Sequence, residues 1–402
     1  MSLVRLEDAL ERLMTGAMPI RDTETVPLRA AHGRRLGADV VAQRTQPGFD
    51  ASAMDGYALH ASDAGEADPL RVVGEVSAGQ MSSEALAPGK AMRIFTGAPL
   101  PKGADAVLLQ EDAERSGDQL RALTPVRIGQ HIRPAGNDFF EGQLLVPEDS
   151  LLTAARVALA GSGGHAHLVV RRRPRVAIAM TGDELVLPGE PVGDAKIVAS
   201  NGYAIAALAE AAGAVVDDLR IAPDDASVIR QRLEEAATLG ADVFVTIGGA
   251  SVGDRDLVAQ ILEQAGVALD FWKVAMRPGK PVLAGRRGAL RVIGLPGNPA
   301  SSLVAATLFL KPLLRRLAGL PDMPLMADGI LGADVEANDH RAEFMRAIFV
   351  PTAGEDRPTI KPLPRQDSSL LSTYAAADVL LFRPVNAPAA VAGDVCRFVR
   401  LD

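Results

Sequence analysis

Cysteine and aromatic residues are scarce in this 402-residue chain, which has one cysteine, one tryptophan and 4% aromatic residues. The single cysteine, Cys396, excludes an internal disulfide bond and any cluster of cysteines around a metal ion. Its apolar surroundings, DVCRFV, indicate a core residue rather than a nucleophile. The six histidines are scattered along the sequence, and a zinc site would need more ligands than they supply together. These shortages disfavour zinc chemistry and covalent catalysis by a thiol.

Long apolar runs and excess positive charge are also missing. The longest apolar candidate, residues 300–318, is interrupted by Lys311 and Arg315, so no segment is expected to span a membrane. With 50 acidic and 42 basic residues, the formal net charge is −8, which argues against nucleic-acid binding unless the cations cluster locally. The opening MSLVRLEDALERLM carries acids among leucines, which predicts an amphipathic helix and no signal peptide. We therefore expect a cytoplasmic protein that binds neither membranes nor nucleic acid.

The residue pattern changes three times along a chain that is too long for one hydrophobic core. Residues 1–46 and 141–170 predict an elongated helical stalk, interrupted by residues 47–140, whose short β-like runs predict an inserted β module. Residues 171–324 alternate strands with helices, which predicts a central, doubly wound α/β domain with a parallel sheet. Residues 325–402 predict a small, β-barrel-like C-terminal domain. The expected fold class is therefore multidomain α/β plus β.

Four loops at the predicted strand ends of the α/β domain are rich in Gly or Pro. They are TGDEL (181–185), GGASVGDRD (248–256), RPGKP (277–281) and LPGNP (295–299). Ligands of doubly wound sheets bind outside the carboxyl ends of the strands, where glycines let backbone N–H groups approach an anion. The P-loop spacing is absent, and no GxGxxG follows a strand. The loops together predict a cradle for phosphate or a comparable oxyanion.

Basic side chains cluster at one of these loops, within eight positions. Lys273, Arg277 and Lys280 flank a strand end and a Pro-Gly turn, and they could hold an anion as point charges and as a guanidinium fork. The alternative is a basic edge of the domain that only faces solvent.

Acidic side chains occupy two of the other loops. Asp183, Glu184, Asp254 and Asp256 offer hard oxygen ligands at adjacent strand ends. Carboxylates and cations facing one crevice indicate an anionic substrate bridged to the acids by Mg²⁺. The alternative, in which Asp183 and Asp254 merely cap helices, stays open at this point.

A loop in the β module, PGFDASAMDGYA at residues 47–58, also carries carboxylates in an unusual setting. Asp50 and Asp55 lie among small and apolar residues, without a helical period or the alternation of a strand. Pro47 and Gly48 open it like a turn, yet Phe49 is too apolar for an ordinary solvated loop. Nothing within the β module explains why this loop needs its acids.

These segments as a set resemble the molybdopterin molybdenumtransferases, the family that also includes the C-terminal domain of gephyrin. The similarity covers essentially the whole chain. The motifs that carry it are PGFDASAMDGYAL, RIFTGAPLPKGADAVLLQED, RPRVAIAMTGDEL, GGASVGDRD, FWKVAMRPGKPVLAG and GLPGNPASSLV. The resemblance implies a central molybdopterin-binding domain and a reaction between adenylylated molybdopterin and molybdate that inserts molybdenum and releases AMP with the help of Mg²⁺. It also implies an elongated homodimer with sites shared between chains, and possible contact with the adenylylating enzyme.

The resemblance also implies the roles of individual residues. The catalytic positions are Asp55, Thr96 and Asp138 from the β module of one chain, and Glu184 and Asp256 from the crevice of the other. Those expected to bind the metal are Glu184, Asp256 and Asp55. Those expected to contact substrate or molybdate are Ser251, Lys273, Arg277, Lys280, Pro296, Pro299, Ser301, Arg346 and Ser369.

Two other functions remain open from the sequence. The α/β domain could itself adenylylate molybdopterin, although the stand-alone adenylylating enzymes lack the β modules at both ends. The chain could also be a non-catalytic scaffold of the gephyrin type, although its set of carboxylates and cations is intact.

Overall fold

The computed structural model describes residues 3–65, 68–249, 257–351 and 357–401. The chain separates into two compact units, one formed by Thr23–Val170 and the other by Met1–Asp22 together with Arg171–Asp402. Within the described ranges, no helix combines the length and the apolar character that crossing a membrane requires.

The first helix, α1 (Leu6–Met14), belongs to the second of these units, although the sequence boundaries placed residues 1–46 together in the stalk. Its buried face, formed by Leu6, Ala9 and Leu13, joins the same core as the strands of the α/β sheet. Arg291 donates a hydrogen bond to the carbonyl oxygen of Leu13 at 2.8 Å, which fixes the end of the helix. The partner surface that this amphipathic helix needs is therefore the α/β sheet.

The unit Thr23–Val170 contains the stalk segments and the β module. Its strands are β1 (Thr23–Pro27), β2 (Val40–Val41), β3 (Ala51–Ser52), β4 (Gly56–Leu59), β5 (Leu70–Val76), β6 (Lys90–Ile94), β7 (Ala106–Leu109), β8 (Ala113–Ser116), β9 (Gln119–Ala122), β10 (Ile132–Arg133), β11 (Leu144–Val146) and β12 (His167–Arg171), with α2 (Ala154–Ser162) between the last two. Strands β4 to β9 form one six-stranded sheet in the order β7-β4-β6-β5-β9-β8. Separate apolar clusters form the core of the stalk and cover the two faces of this sheet. The predicted β module is present.

The α/β domain is built around a second six-stranded sheet. Its elements are β13 (Arg175–Thr181), the short pair β14 (Leu185–Val186) and β15 (Ile197–Val198), α3 (Asn201–Ala211), β16 (Val215–Ala222), α4 (Ala226–Thr238), β17 (Val243–Ile247), α5 (Leu257–Gln264), β18 (Ala268–Trp272), β19 (Met276–Arg277), β20 (Leu283–Arg287) and β21 (Leu290–Leu295). The strand order is β16-β13-β17-β21-β20-β18. Apolar clusters on the two faces of the sheet confirm that it is covered on both sides.

The sheet is mixed, and the expectation of a wholly parallel sheet was wrong in this respect. Strands β16, β13, β17 and β21 are parallel, but β20 runs antiparallel to both of its neighbours. The sequence reading missed β20 because it follows β18 through the RPGKP turn and precedes β21 after a tight turn. Neither connection contains the helix that a parallel crossover requires.

The last helical segment of the domain begins as predicted and then changes its winding. Asn298 occupies the N-cap position, and Pro299 is the first residue of α6 (Pro299–Ala305). A π-helical segment, Ala306–Leu310, then leads into α7 (Lys311–Leu317). Pro312 cannot donate a backbone hydrogen bond to the preceding turn, and the wider turn accommodates this loss without ending the helix.

The C-terminal domain is a closed barrel, as the sequence predicted. Its elements are β22 (Ala327–Leu331), β23 (Ala342–Val350), β24 (Thr359–Pro362), α8 (Leu371–Ala375), β25 (Val379–Arg383) and β26 (Val395–Arg400). Five strands pair in the cycle β23-β24-β22-β26-β25-β23, which closes the sheet on itself. Strand β19 adds to it by pairing parallel with β23, so a segment from the α/β domain extends the barrel sheet.

Candidate active site

Three loops meet at the carboxyl ends of β13, β17 and β21, where the sequence predicted an anion cradle. A Cβ atom at Gly248 would lie only 2.4 Å from the carbonyl oxygen of Thr181, and Gly248 has a φ of +99°, so only glycine fits here. A Cβ at Gly297 would lie 3.5 Å from the Cα of Gly248. Asn201, at the start of α3, donates to the carbonyl oxygen of Gly297 at 2.6 Å. The three loops therefore lie against one another, with Thr181 and Gly248 buried and Gly297 exposed at the surface.

An acidic group lies beside this cradle, at the ends of β13 and β16. Asp183 and Glu184 come two and three positions after the end of β13, and Asp183 accepts a hydrogen bond from the backbone N–H of Asp224 at 3.2 Å. Burial raises the pKa of Asp224, and the negative charges of Asp183 and Glu184 raise it further. Asp183 precedes the short strand β14 and not a helix, so the alternative that it caps a helix was wrong.

Asp224 is the member of this group that the sequence reading did not treat as a site residue. The signal was present, because Asp224 comes two positions after the end of β16, the neighbour of β13 in the sheet. Ligands of doubly wound sheets bind outside the carboxyl ends of the strands, and this rule, which predicted the loop after β13, also applies to Asp224. Asp256, Ser251 and Asp254 lie outside the described residues.

The acidic group fits a hard divalent cation in its chemistry. None of Asp183, Glu184 and Asp224 forms an ion pair with a basic side chain in the described parts of the chain. Burial is the main cause of the raised pKa of Asp224, and the negative charges of Asp183 and Glu184 add to it. Mg²⁺ prefers such oxygen ligands. The described residues alone contain no group of three side chains arranged to hold a metal ion.

The basic cluster divides into two kinds of side chain. Lys273 places its ammonium 3.8 Å from the ring centroid of Trp272, and neither Lys273 nor Lys280 forms an ion pair with any described carboxylate. Arg277 instead donates to the Glu343 carboxylate of the barrel at 2.8 Å. The two lysines thus keep their positive charge available to an anion, whereas the charge of Arg277 is largely neutralised.

The turn that carries Lys280 packs against the start of α6. A Cβ at Gly279 would lie 3.5 Å from the carbonyl oxygen of Ser301, and Ser301 itself is buried. Pro296 follows the end of β21, and Pro299 opens α6. Pro296, Pro299 and Ser301 therefore belong to the same region of the unit as the turn.

A loop from the barrel reaches the first turn of α6. The backbone N–H of Ala300 donates to the carbonyl oxygen of Ser368 at 3.0 Å, and the side chain of Asn298 donates to the Ser368 hydroxyl at 3.1 Å. The next residue, Ser369, donates its hydroxyl to Asp367 at 2.5 Å. Ser369 therefore lies one residue from the contact with α6, and its hydroxyl is already bonded within its own loop.

Arg346 holds this loop from inside the barrel. Its side chain is 1% exposed, and its guanidinium donates to the carbonyl oxygen of Asp367 at 3.2 Å. Burial lowers the pKa of Arg346, because a charged group is costly to remove from water. Its Nε has no hydrogen-bond partner among the described residues. The structure thus places Arg346 behind the loop of Ser369, close to the start of α6.

In the other unit, Asp55 is exposed and firmly oriented. One of its carboxylate oxygens accepts hydrogen bonds from the backbone N–H and the hydroxyl of Thr96, both at 2.8 Å. These bonds, followed by the nearby charge of Arg93, hold the pKa of Asp55 below its ordinary value. A Cβ at Gly56 would lie 2.0 Å from the carbonyl oxygen of Leu108, so the residue after Asp55 must be glycine.

The two carboxylates of the 47–58 loop have different tasks. Asp50 is structural, because its side chain accepts a hydrogen bond from the backbone N–H of Ala135 at 2.8 Å. Asp138 is exposed on the same paired segments, and its backbone N–H donates to the carbonyl oxygen of Gln46 at 3.0 Å. Asp55 and Asp138 are thus exposed carboxylates, like Asp50, but Asp50 is engaged by the backbone of Ala135.

Two other features of the chain lie apart from these residues. Burial raises the pKa of the Cys396 thiol to about 11, which keeps it protonated at neutral pH and agrees with a non-nucleophilic role. A cavity of about 630 Å³ lies between α7, the 321–327 segment and the end of β26. This cavity contains none of the candidate site residues. The candidate site is therefore recognised by its charged side chains and its closely packed glycine loops, and not by the volume of a cavity.

The fold is that of a multidomain α/β protein, and two lysines without a described ion-pair partner lie at the strand ends of its α/β sheet. Three family models match consecutive parts of the chain: the MoeA N-terminal region (domain I and II) at residues 4–164, a probable molybdopterin binding domain at 177–316, and the MoeA C-terminal region (domain IV) at 328–401. The chain belongs to the molybdopterin molybdenumtransferase family, which confirms the resemblance seen in the sequence.

Individual relatives span most of the chain. A molybdopterin molybdenumtransferase of Nostoc sp. is 40% identical over 308 residues, which cover 75% of this chain and 70% of the relative. Molybdopterin molybdenumtransferase 2 of Mycobacterium tuberculosis is 37% identical over 354 residues, covering 85% and 86%. The crystal structure of a molybdopterin biosynthesis MoeA protein from Pyrococcus horikoshii matches over 100% of both chains, with 29% identity and a TM-score of 0.81.

Proposed function

We propose that this protein catalyses the insertion of molybdenum into molybdopterin, with molybdate as the source of the metal. The observation that carries the proposal is the pair of lysines, Lys273 and Lys280, at a glycine-rich crevice in a chain whose relatives bear this activity in their names. Neither ammonium is paired with a described carboxylate, so both can attract a dianion.

The form of molybdopterin that we propose as substrate is the adenylylated one, with AMP as the second product. The glycine loops beside Gly248 and Gly297 present backbone groups that can approach phosphate oxygens. Lys273 and Lys280 would hold molybdate and phosphate oxygens near one another. Water then cleaves the phosphoanhydride, its oxygen going to phosphorus, to give AMP and the phosphorylated pterin.

The acids of the crevice give the proposed Mg²⁺ a place. Glu184, Asp256 and Asp55 would hold it, with Asp224 next to Glu184 as a further carboxylate. When bound, the ion supplies positive charge against the phosphoanhydride. The carboxylates themselves orient it and repel a misplaced phosphate.

We propose further that the protein acts as a homodimer with sites shared between chains. Asp55 and Asp138 are exposed carboxylates of one unit, and Asp55 is oriented by two hydrogen bonds from Thr96. Shared sites would give these acids the crevice of a partner chain as their target. The adenylylating enzyme would be a natural further partner, because it supplies the substrate.

The test is an assay of AMP release with purified protein, adenylylated molybdopterin, molybdate and Mg²⁺. AMP that appears only when molybdate is present supports the proposal, and Lys280→Ala should reduce it. Lys361→Ala, an exposed lysine on the barrel strand β24, is the matched control and should leave it unchanged.

Other outcomes would point to the alternative functions. Pyrophosphate release from free molybdopterin and ATP would indicate adenylylation instead. Absence of both reactions in a folded protein would favour the scaffold.

A further inference from the structure

Arg277 lies at the only place among the described strands where the α/β domain pairs with the barrel. Strand β19, which consists of Met276 and Arg277, runs parallel to β23 with Arg277 in register with Glu343. The backbone N–H of Ala342 donates to the carbonyl oxygen of Ala275 at 2.9 Å. The RPGKP turn therefore leaves directly from a strand of the barrel sheet.

The guanidinium of Arg277 extends this pairing through its side chain. It donates to the Glu343 carboxylate at 2.8 Å and to the Asn338 side-chain oxygen at 2.9 Å, with a weaker contact to Asp339 at 3.5 Å. Glu343 has 18% of its side chain exposed and Arg277 has 35%, so solvent only partly screens the pair. Every acceptor belongs to the barrel.

These acceptors are held in place by the barrel itself. The Asn338 amide donates to three carbonyl oxygens, those of Arg341 at 2.7 Å, Arg383 at 3.2 Å and Pro384 at 2.7 Å. Arg341 bonds to Asp339 at 3.0 Å and lowers the pKa of that carboxyl to about 2. The barrel thus offers Arg277 a rigid set of oxygens, which reduces the entropy lost on forming the contact.

The position of Lys280 is restricted because this residue lies close to Arg277 along the chain. Lys280 lies three residues after Arg277, and its carbonyl oxygen accepts from the backbone N–H of Val274 at 2.9 Å. A Cβ at Gly279 would lie 2.9 Å from the side chain of Met276 in β19, and 3.5 Å from the carbonyl oxygen of Ser301 in α6. One end of the turn is therefore fixed on the barrel, and its middle is wedged against the helix.

We propose that Arg277 and Glu343 form a positioning pair, which holds the 277–281 turn so that Lys280 faces the anion in the crevice. Arg277 acts through Lys280 and is not itself an anion ligand. This inference rests on the proposed function, since the anion is taken to be molybdate. It departs from the role in phosphate and molybdate contact that the family resemblance implied for Arg277.

The direction in which Glu343→Ala changes the molybdate affinity distinguishes a positioning role of Arg277 from direct anion binding. Glu343→Ala removes a negative charge near the crevice, so if Arg277 bound the anion directly, the released guanidinium would tighten molybdate binding. If the pair positions Lys280, the same change weakens molybdate binding, by roughly three- to tenfold, because the turn loses its anchor. Molybdate binding by the purified protein, in its own oligomeric state, is measured by equilibrium dialysis.

Two further variants control for charge and for general damage. Glu343→Gln keeps an acceptor for Arg277 and should retain most of the molybdate affinity. Asp328→Ala removes an exposed carboxylate from the barrel strand β22 and should leave the affinity unchanged. The double variant Arg277→Gln with Glu343→Ala should bind molybdate no more weakly than the weaker single variant, because both changes break one contact.

Hydrogen exchange at the backbone amides of Arg277, Gly279 and Lys280 gives a readout that does not depend on activity. It should become faster in Glu343→Ala and remain normal in Glu343→Gln. Unchanged or tighter molybdate binding by Glu343→Ala, in a wild-type protein that binds molybdate, would overturn the positioning role alone. A wild-type protein that binds no molybdate would contradict the proposed function, and the role of the pair with it, whatever the exchange rates show.

Discussion

Asp55 receives both hydrogen-bond donors of Thr96 on a single carboxylate oxygen, the backbone N–H and the hydroxyl each at 2.8 Å. The second oxygen of Asp55 is left for another partner, since no further hydrogen bond to it occurs among the described residues. Such an arrangement orients an exposed acid and keeps it ionised, because hydrogen bonds to the charged form lower its pKa. Asp55 is therefore an oriented and ionised carboxylate with one oxygen able to accept a further hydrogen bond.

The first prediction concerns the hydroxyl of Thr96. Thr96→Val removes one of the two donors and keeps the backbone N–H, so the pKa of Asp55 should rise toward its ordinary value. If ionised Asp55 is required, the acid limb of the pH profile for AMP release should move to higher pH, with activity at neutral pH reduced by less than about tenfold. Thr96→Ser should restore the profile. An acid limb that stays in place would contradict the role of this hydroxyl.

The second prediction concerns Gly56, the residue after Asp55. Gly56→Ala would place a Cβ 2.0 Å from the carbonyl oxygen of Leu108, and backbone atoms cannot move aside easily. We expect a loss of roughly 2 kcal/mol or more in the free energy of unfolding of this unit. The control is Gly74→Ala in β5 of the same sheet, where a Cβ meets nothing within 4 Å. Chemical denaturation of both variants is the measurement, and equal stabilities would contradict the argument.

The sequence predicted the folds of the separate parts well because each depends on local pattern. Alternating strands and helices indicated the α/β domain, and short strands with Gly and Pro indicated the two β parts. Strand β20 was missed because its antiparallel pairing depends on which neighbour it meets in the sheet, and local pattern does not contain that information. The placement of α1 was missed for the same reason. An amphipathic pattern shows that one face of the helix is buried, but it does not show which surface buries it.

The candidate site was predicted less evenly than the fold. Strand ends identified Glu184 and the lysines, because that rule depends only on topology. Arg277 and Lys280 look alike in sequence, and only the position of Glu343 on a strand 66 residues later separates their tasks. Asp50 and Asp55 likewise differ only through the groups that meet them.

The third prediction tests the two lysines as anion ligands. Lys280→Ala removes an unpaired positive charge from the crevice, which should weaken molybdate binding by about tenfold, the scale of a lost charge-assisted contact. Lys273→Ala should have a similar effect. The melting temperature should not change in either variant, because neither ammonium forms an ion pair with a described residue. Unaltered molybdate affinity would return both lysines to the role of a solvated basic edge.

The fourth prediction tests whether sites are shared between chains. Asp55→Ala and Lys280→Ala affect different units, and at a molybdate concentration below saturation each homodimer should release AMP much more slowly than the wild type. If one site takes Asp55 from one chain and Lys280 from the other, mixed dimers should regain up to one intact site, about half of the wild-type activity per dimer. The measurement is AMP release after chain exchange, verified by differently tagged chains. Verified exchange without recovery would count against shared sites.

The last prediction uses two adjacent aspartates whose pKa values move in opposite directions. The pKa of Asp224 is raised by burial and by Asp183 and Glu184, so its ionised form is disfavoured in the folded protein. Its stabilising contribution is therefore present below the pKa of an unfolded aspartate and is lost as the pH rises through the raised value. Asp225 accepts hydrogen bonds from Ser227 as the cap of α4, and its pKa is lowered, so its contribution is present at neutral pH and lost in acid.

Asp224→Asn should therefore stabilise the protein at pH 7, by less than about 1 kcal/mol because Asp224 is only partly removed from solvent, and the gain should shrink as the pH falls toward about 4. Asp225→Asn should give no gain at pH 7. If Mg²⁺ binds at the acidic group, it should raise the melting temperature of the wild type more than that of Asp224→Asn, because the ion relieves the same repulsion. Thermal unfolding against pH and Mg²⁺ concentration measures both effects. A gain from Asp224→Asn that grows in acid would contradict the charge argument, and an equal response to Mg²⁺ in both proteins would remove Asp224 from the metal site.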